Sequence, residues 1–147
     1  MNLSHALQSV GKSERGQGLV EFALSITMLL FFLAGIIDLG RAFFTYMAIR
    51  DAAQEGASYA AINPIDRDAI IQRVTTTSTF PVDLSSPDIS VNPEVIEGPP
   101  CAGGAVRVTV TYENFPLIFP FSNVIFGKNT ISLSASVTDT ILLPVCD

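Results

Sequence analysis

Residues 18–64 read GLVEFALSITMLLFFLAGIIDLGRAFFTYMAIRDAAQEGASYAAINP, and this stretch decides the fold. From Phe22 to Ile37 it runs 16 residues without a charge, bounded by Glu21 and Asp38. Leu19 to Leu39 makes 21 residues, about 31 Å of α-helix at ~1.5 Å each, enough to cross the hydrocarbon core of a bilayer. A secretory signal peptide would have a shorter apolar core and then a small-residue cleavage site. Here Asp38-Leu39-Gly40-Arg41 leads into further helical pattern instead. No proline occurs before Pro64, and a residue preceding proline is pushed out of the α region. One helix from Gln17 to Ala61, roughly 65 Å long, is therefore expected, with about half of it clear of the membrane.

Upstream, Lys12 and Arg15 lie just before the apolar span, which predicts an N-terminus inside and a C-terminal domain outside the cytoplasm. Residues 1–16 then form a cytoplasmic leader, residues 17–61 a transmembrane and stalk helix, and residues 62–147 an extracytoplasmic domain. Asp38 and Arg41 (i, i+3) fall where the helix leaves the bilayer. They are expected to anchor its depth, as an intrahelical ion pair or by pairing with neighbouring helices. Beyond them Ala48, Ala52, Gly56 and Ala60 form a row of small residues, with Ala53, Ala57 and Ala61 beside it. Such rows let another backbone come close. The chain's own sheet is the expected neighbour, a partner helix in a filament the alternative, and the helix can serve both.

A short helix is expected over Ile65–Thr76, with Asp66 and Asp68 at its start for capping and dipole reasons. Three later stretches alternate at period two. Ile89, Val91 and Val95 share one side of the first, and Pro93 marks it as an edge strand. Val106, Val108, Val110 and Tyr112 oppose Arg107, Thr109, Thr111 and Glu113 in the second. In the third, Ile131, Leu133, Ala135 and Val137 oppose Ser132, Ser134, Ser136 and Thr138. One wet and one buried face predict an antiparallel sheet lying on a helix. The fold class is α+β: a long N-terminal transmembrane helix continuing as a stalk, packed by a short helix and a three-stranded antiparallel sheet.

Residues 115–126 join the last two strands and hold eight large apolar side chains, Phe115, Leu117, Ile118, Phe119, Phe121, Val124, Ile125 and Phe126. A connection of that kind is ordinarily short and polar, so this one must have a surface to meet. The expected surface is the membrane-proximal stalk around Phe43, Phe44 and Met47, with the outermost phenylalanines on lipid or a partner.

The net charge is -6 and the eight basic residues are scattered, which argues against a nucleic-acid partner. The single histidine is His5 and there is no tryptophan. No Ser–His–Asp or Cys–His couple and no imidazole metal site can form in the remainder. No catalytic residue, metal, cofactor or small-molecule substrate is expected. A membrane-anchored hydrolase or ligand-binding domain is thereby disfavoured. Cys101 and Cys146, 45 positions apart, read as a structural disulfide of a domain outside the cytoplasm or as two buried thiols that never meet.

At the start of the apolar helix stands Arg15-Gly16-Gln17-Gly18-Leu19-Val20-Glu21-Phe22. This resembles the processing site of type IV pilin-like proteins, a basic leader ending in glycine and an apolar helix with glutamate at its fifth position. Together with Gly35-Ile36-Ile37-Asp38-Leu39-Gly40-Arg41 and Ala52-Ala53-Gln54-Glu55-Gly56-Ala57-Ser58-Tyr59-Ala60, residues 15–61 resemble the TadE-like family, minor pseudopilin-type proteins of tight-adherence (Flp) pilus systems. Two positions depart from its common pattern: Ile26-Thr27 stand where proline is frequent, and Ser58 where arginine is.

The resemblance implies a structural subunit of the bacterial inner membrane, cut by a prepilin peptidase between Gly16 and Gln17. Its partners would be the bilayer, that peptidase and other pilin or pseudopilin subunits met through the N-terminal helix. Cleavage would leave a positive amine on Gln17 that the Glu21 carboxylate of a neighbouring subunit could neutralise, whereas an unpaired carboxylate in a membrane helix is costly. Without the resemblance, Glu21 is a first-turn acid at the helix start. An uncleaved single-pass scaffold of a secretion or pilus machine is the rival reading.

Overall fold

The computed structural model describes residues 14–78, 80–120 and 122–145. Helix α1 spans Glu14–Ala60 without interruption. It contains a window of mean hydropathy 2.3 of which none is buried, so it is long and apolar enough to cross a membrane. Within that part the Thr27 hydroxyl donates to the Ala23 carbonyl at 2.7 Å, so its polar group is satisfied inside the helix itself. The helix begins at Glu14 rather than at the expected Gln17. At its other end the Leu142 amide donates to the Ala61 carbonyl at 2.7 Å, so a returning tail satisfies one of the acceptors that every helix end leaves open.

Helix α2, Arg67–Thr75, starts at the Asp66 cap, whose side chain accepts from the Ala69 amide. It is shorter at both ends than the expected Ile65–Thr76. Strands β1 (Ile89–Glu97), β2 (Ala105–Pro116) and β3 (Thr130–Thr140) form one antiparallel sheet in the order β1-β2-β3. Pro93 lies in edge strand β1, as expected, and joins the buried face of that strand. The wet face is tied by hydroxyl pairs, Thr109 with Ser136 at 2.8 Å and Thr111 with Ser134 at 2.9 Å.

The small-residue rows of α1 meet the chain's own sheet and α2. Ala52, Ala53, Ala57 and Ala60 are buried among Ile70 and Val74 of α2, Val106, Val108 and Val110 of β2, and Ala135 of β3. At Gly56 the approach is closest. A Cβ built there would overlap Val74 Cγ2 and stand 3.2 Å from Val108 Cγ1, so one position serves both the second helix and the sheet. The seam is finished by Arg73 and Glu55, 2.6 Å apart, and by Arg67, which donates to the Asn92 side chain at 2.9 Å and to the Pro93 carbonyl at 3.2 Å. Both residues of the Arg73–Glu55 pair are exposed, so it orients more than it stabilises.

The turn before β2 is equally close. A Cβ on Gly104 would overlap the Pro99 carbonyl oxygen and sit 3.0 Å from that of Glu97. Here the tail runs alongside, with the Ala102 amide donating to Pro144 at 2.7 Å and the Ile141 amide to Gly104 at 2.8 Å. Cys101 is buried in this turn, and there is no free cysteine among the described residues. Cys146 lies outside them.

Candidate functional site

The sequence placed Asp38 and Arg41 at the exit of the apolar helix as a pair, and the structure gives that pair a further task. Strand β2 runs on past the expected Glu113, because a register shift between Tyr112 and Phe115 turns Phe115 inward. Its ring packs edge-on to Tyr112 at 5.8 Å. Pro116 ends the strand, and the chain then reaches down along α1 instead of turning straight into β3.

There Asp38 receives it. The Ile118 amide donates to both carboxylate oxygens, at 3.0 and 2.9 Å, and the Phe119 amide donates to Oδ2 at 2.6 Å. Arg41 Nη1 completes the arrangement, 3.3 Å from Asp38 Oδ1 and 3.3 Å from the Pro116 carbonyl, with its guanidinium 5.2 Å from the centre of the Phe115 ring. Asp38 is only 6% exposed. A buried carboxylate is tolerated when donors surround it, and hydrogen bonds to a charged acceptor are about twice as strong as neutral ones. The exchange is mutual, since two loop amides that face an apolar helix find an acceptor. Position 38 therefore carries a clamp as well as an ion pair.

Below the clamp, Phe119 lies against the apolar part of α1. Its ring centre is 6.1 Å from that of Phe31, and a Cβ on Gly35 would reach 3.9 Å from its edge. The loop thus rests on Phe31 and Gly35. This corrects the expected seat around Phe43, Phe44 and Met47. Phe43 and Phe44 stay exposed, because Asp38, one turn lower, holds the amides that fix the loop. The neck is closed by the Leu117 amide on the Asn129 carbonyl at 2.9 Å and by the Ser122 hydroxyl on the Asn129 side chain at 3.0 Å. A one-turn helix, α3 (Ser122–Phe126), fills the return and presents Val124 and Ile125 outward. Phe121 and the side chain of Phe126 lie outside the described residues.

At the far N-terminal end, Gly16, Gln17 and Glu21 are exposed on the first turns of α1. No ion-pair or hydrogen-bond partner of Glu21 stands among the described residues. The structure does not bring these residues near Asp38 and Arg41, from which they are separated by the length of the apolar span. Ala48, by contrast, lies at the edge of the core that holds Ala52 and Ala60. Among the described residues no three His, Cys, Asp or Glu side chains stand close enough to hold a metal. The carboxyl of Asp83 is held below its usual range by the hydroxyl of Ser85 and then by the Ser85 amide, which marks a local turn rather than a reactive centre.

Sequence reasoning missed the loop donors, Ile118 and Phe119, and their floor, Phe31 and Gly35. No curated protein and no solved structure matches the chain. Residues 16–58, the stretch that contains the exposed first turns, the apolar span, the clamp carboxylate and the closest packing point, match the family model TadE-like protein, so the family the sequence resembles is the one found.

Proposed function

We propose that this chain is a pseudopilin-like membrane subunit that serves the assembly of a Tad-type adhesive pilus, a structural part and not a catalyst. The family match carries the reading, because that family is associated with such pili and the matched residues begin at Gly16, where the helix turns apolar. In this reading a prepilin peptidase cuts between Gly16 and Gln17 on the cytoplasmic side of the inner membrane. Glu21, which has no partner among the described residues, then meets the new amine of a neighbouring subunit's Gln17. The α+β domain stands on the other side of the bilayer.

Intact mass and N-terminal sequence of the membrane-extracted chain test this directly. The wild type is expected to begin at Gln17, and a bulky substitution, Gly16→Phe, to leave the full-length precursor. A mature N-terminus unchanged by Gly16→Phe would refute the processing assignment. One observation favours the rival, an uncleaved scaffold: α1 already includes Glu14, so Gly16 and Gln17 are helical, whereas a peptidase needs an extended segment. Glycine inside a helix costs up to about 1 kcal/mol, and with Gly16 and Gly18 both in the first turns this end can open for cleavage. Retention of residues 1–16 in the wild type would decide for the scaffold.

An oxidising compartment for the domain also supports a Cys101–Cys146 bond, since the tail hydrogen-bonds beside Cys101. Closing that loop is worth on the order of 3–4 kcal/mol. Thiol labelling of denatured, unreduced protein is expected to find no free cysteine. Two labelled thiols per chain would contradict both the bond and the compartment.

A further inference from the structure

We propose that the loop carrying Ile118, Phe119, Val124 and Ile125 is inserted among the lipids of the leaflet facing the domain, held at that depth by Asp38. The proposal rests on the reading of α1 as a membrane-spanning helix. Its first support is a length. Phe119 lies on Phe31 and Gly35, and Phe31 is seven residues before Asp38, about 10 Å down the helix axis at ~1.5 Å per residue. Were the loop to stand in water, the stretch it covers would stand in water too. Only Leu19–Leu30, 12 residues and about 18 Å, would then remain for a hydrocarbon core of roughly 30 Å. The span closes only if Phe119 shares the depth of Phe31.

The second support is chemical. Lipid leaves no backbone donor a water to bond, and the amides at the turn of this loop are those that the Asp38 carboxylate takes up, at 2.6 to 3.0 Å. The outer surface of the loop is apolar where it faces away from the protein: Ile118 and Ile125 are 60% exposed and Val124 81%. In a chain of net charge -6, no acid occurs between Glu113 and Asp139, and the one charge in that interval is Lys128. That suits a phosphate headgroup layer. A separate loop agrees on the level. Phe80, 86% exposed, stands with Pro81 beside Arg41 and Phe44, about one turn above Asp38. Apolar residues that continue a lipid-facing helix surface and carry no acid form an interfacial anchor.

The chain has no tryptophan, so one introduced indole reports its own surroundings. Val124→Trp, Leu29→Trp in the span and Ile62→Trp at the distal end of the stalk would each be made in the full chain. Each would be reconstituted at low protein-to-lipid ratio in phosphatidylcholine vesicles with or without acyl-chain bromines, and iodide added from the aqueous phase. Val124→Trp is expected to emit blue-shifted, to lose most of its fluorescence to bromines near the headgroup, and to resist iodide. Ile62→Trp is expected to behave oppositely. Quenching of Val124→Trp by iodide, with Leu29→Trp quenched by bromolipid, would overturn the loop proposal and leave the span intact. Protection of Val124→Trp from both quenchers would place a second protein surface there and overturn it equally. Leu29→Trp open to iodide would instead bring down the spanning reading.

Discussion

Asp38→Ala is expected to release Ile118 and Phe119 from α1 and to cost about 2–6 kcal/mol. The figure follows from what the carboxylate holds. Two loop amides would lose their acceptor in apolar surroundings, at roughly 1–3 kcal/mol each, and Arg41 would lose its counter-charge. Hydrogen exchange of the detergent-solubilised full chain reads this directly: the Ile118 and Phe119 amides should exchange far faster than in the wild type, while those of β2 between Val106 and Val110 stay protected. Asp38→Asn keeps one oxygen acceptor and is expected to fall between the two. Amides at 118 and 119 that remain protected in Asp38→Ala would show that apolar packing alone holds the loop.

Gly56→Ala is expected to destabilise the domain by about 1–3 kcal/mol, the ordinary cost of overpacking, although alanine is the better helix former by up to about 1 kcal/mol. The added carbon overlaps Val74, a β-branched side chain with little rotamer freedom, and the sheet behind it leaves no room to retreat. Gly40→Ala makes the contrast, because nothing lies within 4 Å of that position. In denaturant titrations of the two variants it should be neutral or stabilising, where Gly56→Ala lowers the midpoint. Combining Gly56→Ala with Val74→Ala should cost less than the two separate losses added together. Strict additivity would mean that Gly56 and Val74 are not in contact.

The helix and the three strands were legible in the sequence because each carries a period that only one geometry satisfies. A span of 21 residues from Leu19 to Leu39, charged only at Glu21 and Asp38, then a small residue at every fourth place from Ala48 to Ala60, leave little choice but helix. Val106-Arg107-Val108-Thr109-Val110 leaves little choice but a half-buried strand. The breaks in period were harder. Glu113-Asn114 interrupts the alternation as a register shift, not as a strand end, so the alternation alone ends three residues before the strand does. The clamp was hidden for a different reason. Asp38 has an obvious partner three residues on, and the donors that matter more are backbone amides 80 and 81 positions away, which carry no side-chain signature at all. The apolar loop announced that it needed a surface, and its composition could not say at what height along the helix that surface lay.

Because α1 passes from its apolar part into the core of the domain without a break, it acts as a lever rather than a tether. From Asp38 to Ala60 the arm is about 33 Å at ~1.5 Å per residue. A tilt of about 20°, ordinary for a membrane helix, carries the distal turn with Gly104 and Cys101 sideways by about 11 Å. A twist of the membrane part swings the wet face of the sheet toward a new quarter by the same angle. Any neighbour that grips the apolar half of this helix therefore also aims the other half.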